Sequence, residues 1–212
     1  QYSSDVKNGY FKWFDKDGNL LKIEKYINGS LIEDAPEIKV NDIKITYYDN
    51  GNPKIIASYK NNVPEGMRRE YNENGTLKAG YMMHKGRIIG KGIIDEAGKK
   101  QGEWIEYYLT GVIHAKGTYK DNIKNGKWLF YHENGKLEQS GFFTEDGKHT
   151  GEWIWYYNNG LLRREERLDK GILHGEMVEY YTDTTVMLQG AYYQGIREGR
   201  WIRNVHGYRE EG

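Results

Sequence analysis

Gly102-Glu-Trp-Ile-Glu-Tyr-Tyr-Leu-Thr-Gly111-Val-Ile-His-Ala-Lys-Gly-Thr-Tyr-Lys120 is followed, after Asp121-Asn-Ile-Lys-Asn125, by Gly126-Lys-Trp-Leu-Phe-Tyr131. Gly, Trp and Tyr return at the same offsets, and the return continues. Taking the leading Gly as origin, copies begin at Gly102, Gly126, Gly151, Gly175 and Gly199, in steps of 24, 25, 24 and 24 residues. A fixed period of this size marks a repeat architecture, in which each unit is one supersecondary element.

The landmarks inside the period identify that element. Two residues past the origin stand Trp104, Trp128, Trp153, Met177 and Trp201, and five past it stand Tyr107, Tyr131, Tyr156 and Tyr180. Between two aromatic runs lie Asn134-Gly135 and Asn159-Gly160, with Asp17-Gly18, Asn50-Gly51 and Asn74-Gly75 upstream. Asn-Gly between β-type runs is the strongest local hairpin signal, because both residues tolerate positive φ. A second polar turn, typified by Asp121-Asn-Ile-Lys-Asn-Gly126, joins each hairpin to the next. Apolar residues at helical spacing are nearly absent. The reading is all-β: an elongated single-layer antiparallel sheet of tandem β-hairpin repeats, each too small to bury a core without stacking on its neighbours.

The frame runs over residues 1–212 as a single repeat domain. Irregular repeats occupy 9–101, with insertions near 30–40 and 86–101. Regular repeats fill 102–198, and a partial repeat fills 199–212. The second insertion carries an extra half-repeat, Gly92-Ile-Ile-Asp-Glu-Ala-Gly-Lys-Lys-Gln-Gly102, which parallels Gly141-Phe-Phe-Thr-Glu-Asp-Gly-Lys-His-Thr-Gly151.

Gly-x-Trp-x-x-Tyr, then Asn-Gly-x-Leu, then Gly-x-Tyr, resembles the MORN-repeat variant. The resemblance is strong from Gly66 to Gly207 and weaker before it. It is shared with the YwqK-type family, which is labelled as antitoxins of bacterial toxin–antitoxin systems. The resemblance therefore implies a protein-binding role of antitoxin or immunity type. More loosely it implies protein scaffolding and peripheral membrane association. It supplies no catalytic residue.

Composition narrows the classes independently. The chain has 31 Lys plus Arg against 31 Asp plus Glu, so its formal charge is zero and it has no global attraction to nucleic acid. Cysteine is absent, which excludes thiolate metal sites and thiol nucleophiles. Hydrophobic residues make up only 37%, yet 19 Tyr and 6 Trp are present, so the buried area is aromatic. Gln1 at the start fits a mature or trimmed form, which favours export as a lipoprotein, periplasmic or surface protein over the cytoplasm.

Site chemistry is sparse. No two of His84, His114, His132, His149, His174 and His206 stand at metal-ligand spacing on one element, and they read as solvated strand or turn residues. Glu165-Glu166 and Glu210-Glu211 alternate with basic residues, and a single-layer sheet offers no cleft to hold a catalytic pair. No phosphate-binding loop or nucleophile elbow occurs. The expectation is no enzyme, no cofactor and no metal.

Strand alternation assigns the faces. Ile105, Tyr107, Ile113 and Tyr119 are placed on the buried side, so that Tyr131 or Tyr156 replaced by Ala should cost about 3 kcal/mol and Glu106 replaced by Ala well under about 1 kcal/mol. The other side then exposes a partner-binding row of Trp104, Tyr108, Trp128, Trp153, Trp155, Tyr157 and Tyr181. The partner on this reading is another protein. The competing readings are an exported or membrane-associated surface scaffold and a carbohydrate- or cell-wall-binding repeat protein. Choline-binding repeats set Trp beside Tyr, whereas Trp104 and Tyr107 are three apart, which speaks against the last.

Overall fold

The computed structural model describes residues 2–3, 6–7, 9–14, 20–31, 42–205 and 208–211. Every described element is a strand and every pairing is antiparallel. Strands β1 (Tyr2–Ser3) and β2 (Val6–Lys7) form one pair; β3 (Gly9–Phe14), β4 (Leu20–Ile27) and β5 (Ser30–Leu31) form a second sheet. The main sheet has fifteen strands in sequence order. It begins with β6 (Asp42–Tyr47), β7 (Pro53–Lys60), β8 (Val63–Tyr71), β9 (Leu77–His84) and β10 (Arg87–Ile94). The regular hairpins follow: β11 (Lys100–Tyr107) with β12 (Ile113–Lys120), β13 (Ile123–Tyr131) with β14 (Leu137–Phe143), β15 (His149–Tyr156) with β16 (Leu162–Asp169), and β17 (Ile172–Tyr180) with β18 (Val186–Tyr193). β19 (Ile196–Val205) and β20 (Tyr208–Glu211) close the series. Most of the insertion expected near 30–40 lies outside the described residues.

Two kinds of turn occur, and the single-glycine kind also joins β10 to β11 at Gly98 and β14 to β15 at Gly147. Inside a hairpin only the Gly takes positive φ, as at Gly111 (88°), with Gly111 N–H donating to Tyr108 O and Tyr108 N–H to Val112 O, both at 2.9 Å. Asn50, Asn74, Asn134 and Asn159 keep negative φ, so the expected two-residue turn with both centres left-handed is not the one formed there. That turn occurs instead at other connections, as at Asp121 and Asn122, which have φ of 52° and 70°. Thr184 holds the left-handed position that glycine holds elsewhere, at φ 70°, and a β-branched residue is strained there.

The core is one side chain thick and lies on the face opposite to that expected. Trp104, Trp128 and Trp153 are 1%, 0% and 0% exposed, and Met177 and Trp201 at the same offset are also buried. Ile105 and Tyr107 are only half-buried, and Ile113 is exposed. A bulge sets the face of Ile113. Glu106 pairs with Ala115 but Tyr107 pairs with Ile113, so the extra residue His114 moves Ile113 to the other side from Ala115, Gly117 and Tyr119. Tyr119 is buried as expected, but against the tryptophans: its ring stands 6.1 Å from Trp104 and 5.0 Å from Trp128, edge-on to both.

Glycine makes room for the indoles. A Cβ built on Gly117 would lie 2.4 Å from Trp128, one on Gly141 2.1 Å from Trp153, and one on Gly190 2.3 Å from Trp201. Gly92 stands in the same relation to Trp104. Each Trp therefore lies flat on the preceding strand where that strand has no side chain. The copy that lacks Trp also lacks Gly: Glu166 pairs with Met177 in its place.

The half-repeat β10 inverts the sheet. Adding one strand reverses the direction of every later strand, while later hairpins still stack on the same edge. Only a half-turn about an in-plane axis across the strands does both, and it exchanges the faces. The register agrees, because the row through Ile105 continues to Lys91, Tyr81, Arg68 and Ala57. Arg68, two residues past Gly66, thus sits on the opposite side from Trp104. Buried Ala57, Ala79 and Met83 share Arg68's side.

Gly117 and Gly126 should respond differently to alanine. Gly126 has φ 67° and open space around its Cβ position, so Gly126→Ala should cost about 1 kcal/mol of backbone strain. Gly117→Ala must displace Trp128 and should cost on the order of 3 kcal/mol, with a change in near-ultraviolet circular dichroism that Gly126→Ala does not show. Equal losses in denaturant titration would refute the distinction.

Candidate functional site: the open face of the regular repeats

The tryptophan face is closed by its own side chains. Four residues before each of Trp104, Trp128, Trp153 and Trp201 stands a cation or a His that lies over the indole: Lys100 Nζ is 5.1 Å from the Trp104 ring centroid, Lys124 Nζ 4.1 Å from Trp128 and Arg197 Cζ 4.3 Å from Trp201. The His149 ring is 3.9 Å from Trp153. Alkyl stems cover the rings while the cations meet the π face. This spacing was readable in the sequence, since Leu173 replaces the cation where Met177 replaces Trp.

Glu106 belongs to that closed face and is not a strand-surface charge. Tyr119 Oη donates to Glu106 Oε1 at 2.6 Å, and Lys100 and Lys124 stand at 3.6 and 3.5 Å. Burial pushes the Glu106 carboxyl up, but Tyr119, Lys124 and Lys100 together outweigh it and hold the group below the usual carboxylate range. Burial, then the bond to Glu106, pushes the Tyr119 phenol up, and burial pushes Lys124 down against the pull of Glu106. Tyr131 and Tyr156 are half-buried on the opposite face, so the expected stability ranking of these tyrosines over Glu106 has lost its basis.

Tyr108, Tyr157 and Tyr181 join successive repeats. Their hydroxyls donate to the carbonyls of Tyr131, Tyr180 and Asn204 at 2.7, 2.6 and 2.7 Å. Tyr48 does the same to Tyr71 at 2.9 Å, and His132 Nε2 lies 3.0 Å from Tyr156 O at the same frame position. Trp155 is half-buried, 5.8 Å from the Trp153 ring and 5.7 Å from the Arg164 guanidinium. The seven residues expected to form an exposed docking row are thus a buried ladder and a set of inter-repeat ties. The physical reason is that indoles lying on glycines are covered by Lys100, Lys124 and His149 of their own strands.

The other face is open. Along it Ile105, Leu129, Ile154, Val178 and Ile202 recur at every second strand, all half-buried. At its β10–β13 end a groove of about 480 Å³ has Ile105 and Leu129 on its floor, Lys91, Lys116 and Lys127 on its rim, and Glu103 as its one carboxylate. Among the described residues Lys91 and Lys127 make no ion pair. Beyond β14 the charges turn acidic, with Glu152, Glu165 and Glu176 on the same face. Apolar floor, charged rim and the absence of covering side chains are properties of a recognition surface. Among the described residues no group of three or more His, Asp or Glu could hold a metal ion, and no helix is long and apolar enough to cross a membrane.

His149 gives this architecture a pH dependence. Burial, and then Lys124, holds its imidazole below the usual histidine pKa. The unfolded chain therefore takes up a proton before the folded one does, and stability falls as pH drops below about 6.5. Lowering pH from about 7.5 to about 5.5 should reduce the melting temperature less in His149→Leu than in the unaltered protein. An identical pH dependence would place His149 outside the core.

No curated protein matches the chain. It is similar to an accessory secretory protein 1, 2 and 3 structure from Streptococcus pneumoniae, at 14% identity, covering 68% of this chain and 20% of that one, TM-score 0.22. It is also similar to a porin-like protein from Bacteroides uniformis, at 8% identity, 80% and 92% coverage and TM-score 0.22. A third is a TcdB2-TccC3-Cdc42 structure, at 12% identity, 95% and 14% coverage and TM-score 0.19. The chain spans about a fifth of the length of the first of these. The sequence profile of the MORN repeat variant matches residues 7–28, 43–61, 100–121, 124–148 and 150–167, together half of the chain, and the protein belongs to that family.

Proposed function

We propose that the chain is a non-catalytic binding module that recognises another protein through the open face of its regular repeats. The observation that carries this is the contrast between the faces. One is filled by Trp104, Trp128 and Trp153, covered by Lys100, Lys124 and His149. The other leaves a row of aliphatic side chains and unpaired lysines without cover. An antitoxin- or immunity-like role, in which the sheet caps a partner protein, is the finer form of this reading. It draws support from a rigid, repetitive surface with no catalytic constellation among the described residues.

Photo-crosslinking tests the choice of face. With benzoylphenylalanine at Leu129 on the open face, adducts to another polypeptide chain are expected in cells. The same group at Trp155 on the ladder face should give none. Adducts from position 155 alone, or from neither, would overturn the assignment.

A further inference from the structure

We propose that the occupant of the open face is a second copy of this chain, docked face to face about a two-fold axis that runs along β14. This rests on the reading of the open face as the binding face. In register across the five central strands β12–β16, that face presents Lys116, Leu129, Ser140, Ile154 and Glu165. Read in reverse, the row is its own complement. A half-turn along the Ser140 strand sets Lys116 against Glu165 of the second copy, Leu129 against Ile154, and serine against serine. One strand further out, Ile105 meets Val178.

A second pair of charges lies two residues back along the same strands, Lys127 before Leu129 and Glu152 before Ile154. Lys127 pairs with Phe142 and Glu152 with Arg167, while the β14–β15 register shifts beyond Ser140 and sets Phe142 against Thr150. The same half-turn places Lys127 against Glu152 of the other copy, with Phe142 on the axis. Phe142 is 45% exposed, while its neighbour Phe143 points into the tryptophan ladder, 5.3 Å from Trp153. The complementarity ends at Glu103 and Glu176, like charges three strands from the axis, which confines the contact to the central strands.

The charges involved are only weakly held at home, Lys116 Nζ lying 5.4 Å from the Tyr131 ring centroid. Among the described residues none of Lys116, Lys127, Glu152 and Glu165 forms an ion pair within the chain. Glu165 accepts only the Tyr180 hydroxyl, at 3.1 Å. An isologous interface needs one self-complementary patch. Two charge crossings, two aliphatic contacts and an exposed aromatic on the axis meet that need. Five strands span about 19 Å, so the dimer belongs with the smaller, weaker interfaces.

Sedimentation velocity on the whole protein tests this with a charge swap. The unaltered chain should dimerise by about 100 µM at moderate salt. Lys116→Glu alone and Glu165→Lys alone each set like charges opposite one another twice per dimer, and each should weaken self-association about 100-fold or more. An equimolar mixture of the two variants restores opposite charges at both crossings and should sediment as a heterodimer, which also shows that both are folded. A monomeric unaltered chain, dimers that survive either single reversal, or a mixture that stays monomeric would each overturn the proposal. A monomeric chain that still crosslinks from position 129 to a different protein would leave the open face as a binding face. Loss of both results would remove both readings.

Discussion

An indole laid flat over a residue without a Cβ is the contact on which the sheet depends. A single layer of strands has no second layer to bury its apolar side chains. Its interior must be made from rings wide enough to cover the neighbouring backbone and low enough to be covered in turn. Gly117 under Trp128 and Gly141 under Trp153 meet that requirement. Two of the indole N–H groups are satisfied by the same neighbours, Trp128 Nε1 donating to Thr118 O at 3.1 Å and Trp153 Nε1 to Phe142 O at 3.2 Å, whereas those of Trp104 and Trp201 are buried without a partner. Tyr119 and Phe143 then fill the spaces between successive indoles edge-on, in the geometry aromatic quadrupoles prefer.

Two consequences follow for the array. Stability is local, since each ring touches only the strands beside it, which gives nearest-neighbour energetics. The contact is also paired, and the fourth regular copy shows the pair changing together. Glu166 replaces the glycine and Met177 the tryptophan. The Glu166 carboxyl is buried, and burial raises its pKa against the pull of Arg164. A glutamate side chain would collide with an indole, whereas the unbranched methionine can pack around it. Closing one face in this way leaves the other uncovered, so the same contact that makes the core also makes the surface available for recognition.

Much of this was legible in the sequence and some was not. Period, hairpins and strand order follow from Gly102, Gly126, Gly151 and Gly175, because a short antiparallel repeat has few ways to stack. The buried face was not legible from alternation alone. Ile105 and Tyr107 alternate as regularly as Trp104 and Glu106, and the bulge at His114 breaks the period-two rule where the second strand would have decided the matter. The signal that does decide is steric: a glycine stands eleven or twelve residues before Trp104, Trp128, Trp153 and Trp201, and Glu166 stands there where Met177 replaces the Trp. The repeat ties through Tyr108 and Tyr157 were hidden for another reason. Their acceptors are backbone carbonyls, which leave no trace in side-chain identity. Exchange of faces at β10 was implicit in the 36-residue step from Gly66 to Gly102.

Hydrogen exchange of the indole protons examines the tryptophan–glycine contact most directly. With the Trp side chains assigned by nuclear magnetic resonance, the Nε1 protons of Trp128 and Trp153 should exchange as slowly as the central strand amides, because both need the sheet to open. Half-buried Trp155 should exchange faster. Exchange of Trp128 and Trp153 at the rate of a free indole would contradict a core built from rings lying on glycines.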